Sequence, residues 1–278
     1  MRMAISNIAW RPDEDAAMAR MLAGIGVDAL EVAPTRVWPK PLEVAKSEVL
    51  AWTARQKDLG LEVVSMQALL FGRPDLAVFG DAEVRAQTLA YLVGILELAA
   101  VMGARRLVFG SPHNRHPAAL TAELALEQGA AFFAQAGQRA RELGVVLCVE
   151  PNPPAYGCTW ITTAAQGHAL VQLANEPGFG LHLDAAGMFL AGDDPAAMAA
   201  QFGARTQHFH LSAPQLGPVR RGGPVDDAAV VAALAGSGYA GLLSIEMRTQ
   251  RQAGDNRPCI AETVGYVRQV VDANSSSP

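Results

Sequence analysis

The sequence predicts a single (β/α)8 barrel, and three observations predict it. The chain has 278 residues, inside the range that one such barrel spans. Short runs rich in Val, Ile and Leu alternate eight times with longer Ala- and Leu-rich stretches of helical spacing, as βαβ units around a parallel sheet require. Each unit averages about 35 residues, which suits a closed barrel and is long for an open doubly wound sheet.

Taken in order, the first strand is 3–8 (MAISNI), followed by a helix opening near Asp13. The second is 28–32 (DALEV), with a helix near Glu43, and the third 61–66 (LEVVSM), with a helix that Asp81 caps. Strand 106–109 (RLVF) leads to a helix capped by Thr121, and 145–150 (VVLCVE) to one capped by Thr163. Strand 180–184 (GLHLD) precedes a helix opening at Pro195, a residue suited to the first turn. Strands 206–211 (TQHFHL) and 242–246 (LLSIE) precede helices near Asp226 and Cys259. The turns AGIGVDALEV, DLGLEVVSM, MGARRLVF, ELGVVLCVE and GSGYAGLLSIE all put glycine just before a strand, where a helix end favours positive φ. The same logic assigns Gly236 to Gly241, a G-x-G-x-x-G match, to a helix-to-strand turn, because a dinucleotide fingerprint needs strand first and helix second. The domain is expected to cover 1–271, with 272–278, ending Ser-Ser-Ser-Pro, as a disordered tail.

Composition narrows the function. Half of the residues are hydrophobic and 18% charged, enough for a large core. A net charge of −5 argues against nucleic acid, whose non-specific affinity comes from clustered Lys and Arg. Cys148, Cys158 and Cys259 are odd in number and too far apart for a disulfide framework or zinc ribbon, and no export signal or membrane span is read. A cytoplasmic protein is expected. Lys40, Lys46 and Lys57 are the only lysines, all early, which excludes Schiff-base chemistry on a late strand.

The chemistry of a (β/α)8 barrel sits where its strands end. The last four strands end in Glu150, Asp184, His210 and Glu246, at separations of 34, 26 and 36 residues, so these side chains converge on one mouth. One such carboxylate alone is as often a helix cap or an arginine partner. Three together in a partly desolvated mouth repel one another unless protonated or neutralised, and a divalent cation is the economical neutraliser. Oxygen ligands with one imidazole and no thiolate rank Mn2+ and Mg2+ above Zn2+, with Co2+ also compatible. Two positions earlier on each strand, Cys148, His182, His208 and Ser244 form the layer below. There His182 and His208 are either supports for the ligands or hydrogen-bonded core residues, and His208 competes with His210 as ligand.

Around VEPNPP at Glu150, HLDAAG at Asp184, HFHLS at His210 and SIEM at Glu246, the chain resembles the xylose isomerase-like sugar phosphate isomerase/epimerase superfamily. That group includes ketose 3-epimerases, hydroxypyruvate isomerase, inosose dehydratases and endonuclease IV. The resemblance implies Glu150, Asp184, His210 and Glu246 as metal ligands, Mn2+ first, and Glu150 and Glu246 as the acid/base pair on opposite faces of the substrate. It implies a divalent-metal-dependent sugar isomerase or epimerase acting on a ketose or related hydroxy-carbonyl compound through an enediolate, assembled as a homodimer or homotetramer. The alternative is a lyase or dehydratase of a keto-sugar or keto-cyclitol with the same site, and the third reading is a non-catalytic sugar-binding barrel. Ketose 3-epimerases carry a His three residues after the Asp ligand, a Glu six after the first ligand and an Arg six after the His ligand. Here those places hold Gly187, Tyr156 and Leu216. Endonuclease IV would need further ligands, one of them at Gly187, and a basic groove.

The remaining candidates lie on loops after strands, where substrate-positioning residues gather. They are Gln67, His113, Asn114 and Arg115, with Trp10, Phe71, Tyr156 and Trp160 as walls for a sugar face. Arg248, with Arg220 and Arg221, is read either as an anchor for a phosphate or carboxylate or, for the paired loop arginines, as solvated surface charge. Glu31 is read either as a donor-acceptor for a sugar hydroxyl or as a partner of Arg36 or Arg115.

Overall fold

The computed structural model describes residues 1–250 and 255–275. Eight parallel strands close on themselves in chain order: β1 Met3–Ser6, β2 Ala29–Val32, β3 Glu62–Met66, β4 Arg106–Phe109, β5 Val146–Val149, β6 Phe179–Asp184, β7 Thr206–Ser212 and β8 Leu243–Glu246. Closure is made by β1 against β8, with Ala4 opposite Ser244. Each strand lies within a residue or two of its expected run.

The helices are α1 Asp15–Gly24, α2 Pro34–Val37, α3 Lys46–Asp58, α4 Ala82–Met102, α5 Ala122–Glu142, α6 Ala164–Ala174, α7 Ala185–Ala191, α8 Pro195–Phe202, α9 Asp227–Gly236 and α10 Arg257–Ser275. The Asp81, Thr121, Thr163 and Asp226 side chains accept from the backbone of the first turns of α4, α5, α6 and α9. Gly26, Gly60, Gly103, Gly144 and Gly238, one in each repeated turn, all have φ between 70° and 88°. Gly238 therefore belongs to a turn between α9 and β8, and the G-x-G-x-x-G stretch runs from helix to strand.

Three features depart from the sequence reading. α2 and α7 are additional short helices; α7 starts directly from β6, with Asp184 as its cap. α10 runs to Ser275, so the expected tail at 272 begins inside a helix, held there by buried Val270 and Val271 one turn earlier. Residues 276–278 lie outside the described residues. α4 is long and apolar enough to cross a membrane by composition, yet it packs between α3 and α5 in the outer ring of the barrel.

Two irregularities matter for the site. The β2–β3 register slips between Leu30 and Glu31, and the β6–β7 register slips between Leu181 and His182. Bulges of this kind re-aim the side chain beside them, and both flank ionisable residues inside the barrel. On the outside, Phe133 of α5 stacks on Phe179 of β6 with ring centres 4.8 Å apart, and meets Phe109 of β4 edge-on at 5.1 Å.

Candidate functional site

The four strand-end residues converge as expected at the C-terminal mouth. Ligand atoms of Glu150, Asp184 and His210, together with His182, lie within 4.8 Å of one another. Glu246 completes the group: its Oε2 is 3.5 Å from His210 Nδ1, and Asp184 Oδ2 is 4.0 Å from the same nitrogen. Asp184, His210 and Glu246 are buried, while Glu150 keeps some surface at the mouth.

Two of the ligand candidates, Glu150 and Asp184, are placed by local devices. Gly110 follows β4 directly, and a Cβ there would overlap Glu150 Oε2, so only glycine leaves this room. Asp184 Oδ1 accepts from the backbone N–H of Gly187, and Oδ2 accepts from Ser212 Oγ at 2.6 Å. Ser212 in turn accepts from Ala186 N–H at 3.1 Å, tying β7 to the start of α7. Asp184 thus serves as helix cap and as site carboxylate together.

The electrostatics describe a site built for positive charge. Burial, with Glu246 and Asp184 nearby, pushes the Glu150 carboxyl up to about 8. Burial and then Glu246 raise Asp184 to about 6. For His210 burial acts downwards, but the Glu31 and Glu246 carboxylates outweigh it and hold the ring well above its ordinary value. The donor set therefore fits a divalent cation. Three carboxylates gather around a buried nitrogen, His210 Nδ1, which has no hydrogen-bond partner, and Glu150, raised to about 8, holds a proton at neutral pH that a cation would displace.

Beneath this layer the barrel is filled with polar groups. His182 is fully buried with neither ring nitrogen bonded, its ring centre 4.2 Å from that of His210, and burial holds it well below its ordinary value, hence neutral. His208 Nε2 lies 2.7 Å from Glu31 Oε1. His208 thus binds Glu31 below the mouth, and it also lies within ligand reach of His182 and His210. Glu31 is completely enclosed, and its expected pairings are corrected: Arg36 instead bonds Asp15 and the Trp10 carbonyl, and Arg115 lies elsewhere.

The loop candidates divide. Tyr156 and the loop after β7 meet across the mouth, the Tyr156 hydroxyl accepting from Gln215 N–H at 2.9 Å. Gln67 is buried against Ser6, and His113 is exposed beside Gly157. Arg248 is exposed, with its backbone N–H on the Leu216 carbonyl. Arg115 is fully buried, donating to Cys158 Sγ at 3.3 Å with Nε and Nη1 left without a hydrogen-bond partner and its charge acting with that of Glu150. Asn114 donates to the Arg73 and Leu76 carbonyls. Trp10 is buried on Asp15, and Trp160 packs between Phe79 and Phe133, so both serve the core. Phe71 is 71% exposed. Arg221, in the loop after β7, places its guanidinium over the Tyr266 ring of α10.

Comparison with known proteins agrees with this architecture. The model of a family described as xylose isomerase-like TIM barrel matches residues 19–270. Among solved structures, an L-ribulose 3-epimerase superposes with a TM-score of 0.82 at 20% identity, covering 99% of this chain and 95% of that one. A 3-keto-D-glucoside 4-epimerase from E. coli gives 0.78 at 19% identity, over 97% and 99% of the two chains. The IolI protein, solved with a bound zinc atom, gives 0.79 at 16% identity over the full length of both. At these identities the likeness shows the fold. No curated protein sequence matches significantly.

Proposed function

Because the chain belongs to the xylose isomerase-like TIM-barrel family, we propose that it is a divalent-metal-dependent isomerase or epimerase of a ketose or related hydroxy-carbonyl compound. The observation that carries this reading is the meeting of Glu150, Asp184 and Glu246 around the unpartnered Nδ1 of His210. Glu150, Asp184, His210 and Glu246 would hold the cation, with Mn2+ the first to test and Mg2+, Co2+ and Zn2+ beside it. When bound, such an ion polarises a carbonyl and acidifies the neighbouring C–H.

The chain's own residues move the proton. Glu150 and Glu246 are the pair that removes it from carbon and returns it. Asp184, fixed by Gly187 N–H and Ser212 Oγ, keeps its place while they exchange protons. Tyr156, bound to Gln215, joins two loops over the mouth and restricts water there. The positions that contact substrate in ketose 3-epimerases hold Tyr156, Gly187 and Leu216, and this difference favours a second reading, elimination from a keto-sugar or keto-cyclitol.

Incubation in D2O with Mn2+ and a panel of ketoses should place solvent deuterium on the carbon beside the carbonyl, and Glu246→Gln should abolish it. Absence of exchange with every ketose would count against the proposal. An ultraviolet-absorbing unsaturated product would identify elimination.

A further inference from the structure

A buried carboxylate with four polar partners belongs to a strand that supplies no ligand candidate. Glu31, at the end of β2, is fully buried at the register slip between β2 and β3. Its Oε1 accepts from Ser65 Oγ at 2.8 Å and lies 2.7 Å from His208 Nε2. Its Oε2 accepts from Ser244 Oγ at 3.1 Å and lies 2.8 Å from His210 Nε2. One carboxylate thus gathers groups from β3, β7 and β8 at the barrel axis.

The His210 contact is short, although its N–H is not in line with the oxygen, which makes it an ion-pair contact more than a formed hydrogen bond. Its chemical consequence is the same. A carboxylate oxygen 2.8 Å from a ring nitrogen repels a bare lone pair and attracts an N–H. Glu31 therefore holds a ring proton on Nε2, and the lone pair that a cation would use is the one on Nδ1, 3.5 Å from Glu246 Oε2, bared when the cation displaces the second ring proton. An imidazole binds a cation only through such a lone pair, and the partner of its other nitrogen sets which one is free.

We infer that Glu31 is a positioning residue, which selects the Nε2–H tautomer of His210 and fixes its ring so that Nδ1 faces the carboxylates of the metal site. The inference rests on the metal reading of the Glu150, Asp184, His210 and Glu246 group. Ser65, Ser244 and His208 hold the Glu31 carboxylate, so its aim does not depend on His210 alone.

The test is a Mn2+ titration of metal-free protein, followed by the loss of the free-ion paramagnetic resonance signal. Glu31→Leu removes both acceptor oxygens at similar volume and should weaken Mn2+ binding by about 10- to 100-fold. Glu31→Gln, which retains one acceptor, should fall between it and the wild type, at least threefold weaker than the latter. Long-range 1H–15N spectra of the metal-free proteins, recorded at the alkaline end of a pH titration where the ring has lost one proton, should show His210 as the Nε2–H tautomer in the wild type and as a tautomer mixture in Glu31→Leu, a change that loss of packing alone would not cause. A folded Glu31→Leu protein with wild-type affinity and tautomer overturns the inference. If thermal melting shows that this variant does not fold, Glu31→Gln decides on the same two readouts. Failure of the wild type to bind Mn2+ instead overturns the metal reading itself.

Discussion

At the residue scale, the site is a balance between burial and charge, and the balance makes a pH prediction. Without a cation Glu150 sits at about 8 and Asp184 at about 6, both raised by burial and then by the Glu246 carboxylate. In an unfolded chain both lie near ~4. Between that value and the raised one, the folded protein holds protons that the unfolded chain has released, so stability falls as pH rises through the window. His210, held high by Glu31 and Glu246, adds to the same slope, whereas Glu31, held low by His210 and His208, contributes none above neutral acidity. His182 and His208, held low by burial, act the other way below about pH 6.5. The metal-free protein should therefore lose stability from about pH 6.5 to about pH 8, and saturating Mn2+ should flatten the profile. Urea midpoints across that range check this, and a rising metal-free profile would contradict it. The sequence made the carboxylates legible because they sit at strand ends; it did not reveal that Glu31 and Arg115 are fully enclosed, since burial depends on loops and strands that only closure brings over them.

At the scale of elements, strands position the chemistry and the glycines beside them make room. Gly110, just past β4, faces Glu150 so closely that a methyl group would meet its Oε2. Its φ is not positive, so the backbone accepts alanine and the cost falls on the carboxylate. Gly110→Ala is expected to reduce Mn2+ affinity roughly tenfold while leaving the urea midpoint close to the wild type. An unchanged affinity would show that Glu150 does not need this space. The alternating periodicity and the repeated Gly turns made all eight strands readable, because both are local properties of the chain. α7 was not readable: seven residues starting straight from β6 leave no loop signal, and Asp184, its cap, is also the site carboxylate. The slips at Glu31 and His182 were equally hidden, because a bulge is a relation between two strands.

For the whole molecule, the four site residues lie on four consecutive strands, so a bound cation would clamp half of the barrel. Binding to the folded state alone stabilises by mass action, about 2.7 kcal/mol at a ligand concentration 100 times Kd. For a domain of this size that corresponds to a rise in melting temperature of roughly 5–10 °C. Scanning calorimetry with excess Mn2+ and with a chelator should show this difference, and coincident transitions would mean that the barrel does not bind the ion. The sequence by itself determined the barrel, the order of its strands and the four residues at the mouth, because hydrophobic period, glycine turns and strand-end positions are set within a few residues of each other. Only the tertiary structure decided that Glu31 meets His208, 177 positions away along the chain, and not Arg36 or Arg115. Such partners are chosen by closure of the cylinder, which brings strands two and seven to one axis, and by two register slips that turn side chains inward.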